Sequence, residues 1–322
     1  MNVIQAYKKQ GGKTLLIQYL KSGVFHTAVN QFLVLGRSRT ALEILRLSVT
    51  LKTKNKLAKK YKKDLLSFDR NYSKVEEDAE ERKIWFCWLQ GIDKAPELVK
   101  ACYKSLTQNM DREVILITKK NIYNYVSFPD HINEKYKKGI ITDTHLSDLL
   151  RLELLTRYGG TWIDSTVLCT SPERDIPKFY LDSKLFMFQN LKPGRDGHAT
   201  YISSWFMTAE KNNKILQATK YLLYKYWENN NSLVNYFLLH IFISMVLDYY
   251  EDDWNKIVPI NNATPHTILL RLFDDFNPEI WHEATRQVPF HKLTYKLDKR
   301  HTKNYTFYDK ILGKSQYANK NK

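Results

Sequence analysis

Cysteine is scarce. The three residues Cys87, Cys102 and Cys169 in a chain of 322 show neither disulfide-framework spacing nor metal-knuckle spacing. They read as reduced, mostly buried thiols, as in a cytosolic protein. No run of about 20 apolar residues occurs, so no membrane-spanning helix is expected. The first residues have no compact apolar stretch before a small-residue cleavage site, so no secretion signal is expected. Neither a zinc finger nor an RNA-recognition motif is present. Acidic side chains are few at the start: residues 1–75 hold 3 Asp and Glu against 16 Lys and Arg. That quarter carries a net +13 of the chain's +16, which leaves +3 for residues 76–322.

The basic excess peaks in residues 52–63. Two segments of helical spacing precede it. Residues 16–35 place Ile17, Leu20, Val24, Ala28 and Leu35 close to one face, with Gly23 as an interruption, and residues 41–51 are leucine-rich. Such a region can lie on an anionic membrane, bind nucleic acid, or form a solvated helical extension packed on the core. At roughly 1 kcal/mol per lysine near an anionic surface, several lysines hold a protein there reversibly. The concentration of charge at one end, with no recognition motif, argues against nucleic acid. The expected location is cytoplasmic, peripheral on the inner face of the cytoplasmic membrane.

Beyond this region the 43% hydrophobic content excludes bulk disorder. The spacing predicts strands at 84–88, 113–118, 161–163, 185–188 and 202–207. Helices are predicted at 97–109, from 121, and at 145–158, 215–227 and 233–249, with a loop at 192–197. Alternation of strand and helix predicts an α/β fold with a mostly parallel sheet flanked by helices, whose ligands sit beyond the carboxyl ends of the strands. Three regions are expected: residues 1–80 as a basic helical extension, 81–300 as the α/β domain, and 301–322 as a basic polar tail.

The densest motif runs from Leu146 to Val167. Ser147 and Asp148 can cap a helix. Leu149, Leu150, Leu152, Leu154 and Leu155 give it a broad apolar face. Asp148 and Arg151, three apart, share a face. Gly159-Gly160 ends the helix, and a strand then delivers Asp164 to its end. Two carboxylates and a guanidinium can thus converge. Carboxylates accept hydrogen bonds from sugar hydroxyls, arginine binds phosphate bidentately, and a carboxylate can hold a divalent cation against a diphosphate. The plainer alternative makes Asp148 only a cap, Arg151 only an ion pair and Asp164 only a turn residue.

A third candidate segment is 288–296. His291 can ligate a metal, and Lys292 or Lys296 can contact phosphate; alternation along the segment equally allows a plain surface strand. His240 sits in an apolar helix and reads as a structural histidine. Asp248, Glu251, Asp252 and Asp253 read as a solvated cluster. Trp205 and Gln189 are further sugar-facing candidates.

The pattern Ser147-Asp148-x-x-Arg151, Tyr158-Gly159-Gly160, Asp164-Ser165-Thr166 resembles the nucleotide-sugar signature of DXD-containing sugar transferases of GT-A fold. In particular it is similar to the capsular polysaccharide synthesis proteins, related to outer-chain initiating mannosyltransferases. Lys83-Ile-Trp-Phe-Cys-Trp-Leu-Gln-Gly91 resembles the first core strand of that family. The resemblance covers roughly residues 80–300. It implies a GT-A (Rossmann-like) domain and a retaining hexosyl transfer from a UDP- or GDP-sugar to a capsular or other surface glycan, often lipid-linked. Asp148, Arg151 and Asp164 would be catalytic. Trp88 would face the nucleobase, and Asp148, Arg151, Tyr158, Gly159, Gly160, Thr166, Lys292 and Lys296 would complete the donor site. Asp164 and His291 would hold Mn²⁺ or Mg²⁺. Thr166 departs from the pattern, since a neutral hydroxyl replaces the second acid and weakens the case for a metal. A non-catalytic nucleotide-sugar- or glycan-binding relative in the capsule assembly machinery and a sugar-phosphate transferase releasing nucleoside monophosphate are the alternatives.

Overall fold

The computed structural model describes residues 12–73, 82–192, 197–296 and 304–314. The chain opens with helices α1 (Gly12–Lys21), α2 (Phe25–Leu35) and α3 (Arg39–Asn71). The break between α1 and α2 falls at Gly23, whose φ of 64° is a conformation glycine adopts readily. Ser38 caps α3, accepting the Ala41 N–H at 3.0 Å. No glycine or proline then interrupts 33 residues. Its buried stripe recurs every fourth residue, through Ala41, Leu45, Val49, Thr53, Leu57, Tyr61 and Leu65.

The central sheet has strands β1 (Ile84–Cys87), β2 (Val114–Ile117), β3 (Gly160–Ile163), β5 (Leu185–Gln189) and β6 (Ile202–Ala209), in the order β2-β1-β3-β6-β5. β1 pairs parallel with β2 and β3, while β6 runs antiparallel between β3 and β5. Four strands therefore point one way, and only β6 is reversed. A second, two-stranded sheet joins β4 (Val167–Cys169) to β7 (Phe290–Lys292).

Successive strand residues face opposite sides. Trp85, Ile115, Ile117, Trp162 and Met207 pack on a helical layer made by the 143–158, 214–229 and 238–249 helices and the distal half of α3. Ile84, Phe86, Ile163, Phe186 and Phe206 pack on the other side, against the 97–109 helix and Phe290. The fold is thus mixed α/β, with a mostly parallel sheet flanked by helices. Among the described residues no helix is long and apolar enough to cross a membrane.

Several expectations change. The helical region before residue 80 packs on the core, with Leu57, Tyr61 and Leu65 part of the main cluster. The lysine cluster is partly turned inward. Lys54 is buried against Asp248 at 3.1 Å, and Lys56 caps the end of α1 through the Gly23 carbonyl at 2.6 Å. Asp248 is exposed, as expected, and also anchors α3: it pairs with Lys54 and accepts the Tyr201 hydroxyl at 2.6 Å. The helix expected from 233 begins at Leu238, because the Asn235 side chain accepts the Phe237 N–H at 2.8 Å and turns the chain first. The expected polar tail contains a short helix, Phe307–Ile311, with a capping box at Thr306 and Asp309 and a buried Phe307. Residues 301–303 and 315–322 of that tail, and 193–196 of the expected loop, lie outside the described residues.

Candidate active site

The motif helix, Asp143–Tyr158, begins two residues before the expected start, with Thr142 at its N-cap position. Ser147 and Asp148 are therefore interior, and Ser147 donates to the Thr144 carbonyl at 2.6 Å. Asp148 is released from a capping role. Its carboxylate lies 3.3 Å from Arg151 Nη2 and 3.4 Å from His145 Nδ1.

Arg151 is buried, and each of its nitrogens has partners. Nε donates to the Ser147 carbonyl at 3.3 Å. Nη1 donates to the Ser204 carbonyl and, at 2.9 Å, to the Ser204 hydroxyl. Nη2 faces Asp148 and, at 3.5 Å, Asp164 Oδ1. The guanidinium also lies 4.8 Å from the centroid of the Trp162 ring. A guanidinium has five N–H donors, and these contacts use them. These contacts engage Arg151 within the protein, where it holds the two carboxylates in place.

Asp164 follows β3 at its carboxyl end, anchored by its N–H to the Trp205 carbonyl at 2.8 Å. Its Oδ1 accepts Trp162 Nε1 at 2.9 Å, and its Oδ2 pairs with Lys292 Nζ at 2.8 Å. Burial works against its charge, but Lys292, Arg151 and the Trp162 hydrogen bond outweigh it and hold the carboxyl below its usual range. The pairing of β4 with β7 sets this contact, since Val167 is opposite Lys292. The same ammonium reaches Thr166 Oγ1 at 2.8 Å.

The strand alternation that aims Lys292 at Asp164 turns His291 to the opposite face. His291 is fully buried, with Nε2 3.2 Å from the Thr170 hydroxyl, and burial lowers its pKa to about 4. The expected metal pair of Asp164 and His291 is not brought together. Among the described residues no group of three or more His, Cys, Asp or Glu side chains could hold a metal ion. The donor set does not fit Mn²⁺ or Mg²⁺: one carboxylate is already paired to two cations, and its motif partner is a hydroxyl.

Tyr158 and Gly159 end the motif helix and Gly160 opens β3, four residues and so roughly 13 Å of strand before Asp164. Tyr158 donates to the Tyr125 carbonyl at 2.8 Å, and the Gly159 carbonyl accepts Trp85 Nε1 at 2.9 Å. A Cβ on Gly160 would fall 2.2 Å from the Lys83 carbonyl oxygen, so the glycine serves close strand packing.

Trp88, just beyond β1, packs with the Ile84, Phe86 and Ile163 side of the core. Its ring meets Tyr295 edge-on at 5.3 Å, and its buried indole N–H has no partner. Lys296 is exposed, 6.0 Å from the Tyr295 ring centroid. Trp205 is buried, stacked on Phe188 at 4.4 Å and bonded to Asn262, and Gln189 is buried as well, so neither is a contact surface for sugar. His240 lies in the 238–249 helix, and its buried Nδ1 has no partner. Its Nε2 accepts the Ser204 N–H at 3.3 Å, and burial lowers its pKa to about 4.

Tyr295, Tyr236, His145 and Ser204 were not singled out by sequence reasoning. Tyr236 is half exposed, its ring 5.8 Å from His145, and burial together with Asp148 and Asp164 raises its phenol pKa. The only sequence signal for Tyr295 was its place three residues after Lys292; Ser204 had none. The three thiols are free, and burial lifts each to about 12.

The fold and site thus define a mixed α/β protein with two carboxylates, a buried guanidinium and an ammonium at the carboxyl ends of its strands. The chain belongs to the capsular polysaccharide synthesis protein family, whose family model matches residues 40–311. That match includes nearly all of α3, in keeping with the packing of that helix on the core. The chain is also similar to an O-glycosyltransferase, PaGT, of Phomopsis amygdali, with 23% identity over 168 residues, 47% of this chain and 40% of the relative. It therefore spans well under half of that relative's length. A solved structure, the PaToxG glycosyltransferase, aligns over 85% of this chain and 90% of its own at 13% identity, with a TM-score of 0.35.

Proposed function

We propose that this protein is a glycosyltransferase that moves a sugar from a nucleoside-diphosphate sugar to a capsular or other surface glycan. One observation carries the reading: Asp148 and Asp164 are held 3.3 and 3.5 Å from one buried guanidinium, beside the Lys292 ammonium, in a chain of this family. In this reading Trp88 and Tyr295 take the nucleobase, and the unpartnered indole N–H offers it a donor. Asp148 accepts hydrogen bonds from sugar or ribose hydroxyls. Lys292 meets the diphosphate, and Asp164 orients that ammonium. In the transfer, the bond from the anomeric carbon to the diphosphate oxygen breaks. Its electron pair leaves with the nucleoside diphosphate, and a preorganised cation there stabilises the developing charge. The acceptor hydroxyl oxygen bonds to the anomeric carbon, and its proton passes to the departing diphosphate. A cavity of about 360 Å³ lined by Asn190, Lys192, His198, Asn261, Asn262 and His266 is the acceptor candidate. Asn262 in its wall accepts the Trp205 indole N–H at 2.8 Å, and the Trp205 carbonyl in turn holds the Asp164 N–H at 2.8 Å.

Membrane association belongs to the same reading, with a corrected surface. Leu33 and Val34 are 75% and 72% exposed, and Leu16, Ile17 and Leu20 are exposed on the preceding helix. Lys59, Lys60, Lys62 and Lys63 are exposed on α3. An apolar ridge on a basic body suits the headgroup region of an anionic bilayer, where a lipid-linked acceptor would be met.

The test is release of nucleoside diphosphate from a panel of UDP- and GDP-sugars, with lipid-extracted surface glycan as acceptor. Release from one donor supports transfer, and the anomeric signal of the product tests the retention implied by the resemblance. Nucleotide binding without release favours a non-catalytic partner, and nucleoside monophosphate points to sugar-phosphate transfer.

A further inference from the structure

We propose that the Lys292 ammonium takes the place of a divalent cation at this site, so that the protein binds the diphosphate of its donor without metal. This rests on the transferase reading above. Lys292 Nζ is 2.8 Å from both Asp164 Oδ2 and Thr166 Oγ1, bridging the first and third positions of the motif. A bridging cation of a two-acid motif would need that same place. Asp164 Oδ1 is occupied by Trp162 and Arg151, so the carboxylate has no free oxygen to offer a metal.

The charge balance agrees. Asp148 and Asp164 carry two negative charges, and Arg151 and Lys292 carry two positive ones. The cluster is neutral before ligand arrives, so little net field attracts a hard dication. Hard dications are held by carboxylate oxygens and dehydrate reluctantly, and a hydroxyl beside an ammonium compensates poorly. The Lys292 ammonium has three donors, of which Asp164 and Thr166 take two, and the third remains for a phosphate oxygen. Thr166 is thus matched to Lys292: a second acid there would bind the ammonium more tightly and turn it from the ligand.

The experiment is calorimetric titration with UDP and with GDP, in EDTA and in millimolar Mn²⁺. The proteins are the wild type, Lys292→Ala, Lys292→Arg and the double variant Thr166→Asp/Lys292→Ala, each checked for fold by circular dichroism. The wild type should bind one nucleotide with affinities that agree within about twofold with and without Mn²⁺. Loss of a charge-assisted contact should weaken Lys292→Ala by about tenfold or more in EDTA, with Lys292→Arg intermediate. Mn²⁺ should restore binding only in the double variant, where two acids face an emptied cation position. Wild-type binding strengthened tenfold or more by Mn²⁺ overturns the proposal, as does a Lys292→Ala protein that binds normally in EDTA. Binding of neither nucleotide under any condition overturns the transferase reading itself, and this inference with it.

Discussion

Lys292 and Asp164, 128 residues apart, meet at 2.8 Å at the carboxyl end of the central sheet. Neither is placed by its own strand alone. β3 delivers the acid, and the pairing of β7 with β4 delivers the ammonium.

Asp164→Asn removes the acceptor that orients Lys292 and leaves two cations facing a neutral amide. Transfer should fall by about 100-fold or more, as when preorganised charge is lost at a reacting centre. The fold should remain, because Trp162 can still donate to the amide oxygen. Initial rates and the thermal midpoint, measured together, check this.

Arg151 predicts a different outcome. Truncating a buried member of an ion-pair network typically costs about 3–5 kcal/mol. Arg151→Ala should therefore lower the unfolding midpoint strongly. Arg151→Lys should rescue little, since one ammonium cannot serve Ser147, Ser204, Asp148 and Asp164 in the same plane. Urea unfolding of both variants separates this positioning role from a phosphate-binding one, which would leave stability nearly unchanged.

Gly160→Ala should cost stability without altering nucleotide affinity in the protein that still folds. Its φ of 91° disfavours any side chain, and the added Cβ would meet the Lys83 carbonyl oxygen at 2.2 Å. A loss of about 2 kcal/mol or more is expected from combined strain and overlap. Weakened UDP or GDP binding at full stability would return the glycine turn to the donor site.

The buried histidines set an acid limit. His291 is held neutral at a pKa of about 4, below the ordinary 6.5, because burial disfavours its charged form. Its contribution to stability is complete above pH 6.5 and declines as pH falls from there toward 4, where the unfolded chain binds the extra proton. The loss for this one residue is about 3 kcal/mol across that window. His240, lowered likewise to about 4, acts in the same direction. Asp164, whose pKa is also lowered, contributes stability that is lost only below its ordinary value of 3.8. Chemical denaturation at stepped pH should show the decline starting near 6.5, and His291→Phe should flatten it.

Leu33→Asp with Val34→Asp tests the membrane surface without touching the core, since both side chains are mostly exposed. The double variant should shift from vesicles containing anionic lipid into the supernatant. Deleting residues 1–65 would not be a clean test, because it removes Leu57, Tyr61 and Leu65 from the core.

Much of the sheet was legible because apolar runs such as Val114–Ile117 have one buried solution, and the 97–109 helix matched its spacing. Asp148, Arg151 and Asp164 were found because a short helix–turn–strand unit fixes them locally. What was not legible depends on contacts distant in sequence. The pairing of β4 with β7, which turns Lys292 inward and His291 away, leaves no trace in either segment. The saturation of Arg151 likewise depends on Ser204, 53 residues on. The glycine turn entered the donor-site expectation through the resemblance, and the length of β3 sets it apart from Asp164.

The most direct test of the account compares wild type with Asp164→Asn for nucleoside diphosphate release across UDP- and GDP-sugars, in EDTA. The wild type should release nucleoside diphosphate from one donor, and the variant should lose about 100-fold of that rate. Equal release by the two proteins, or nucleoside monophosphate as the product, would contradict it.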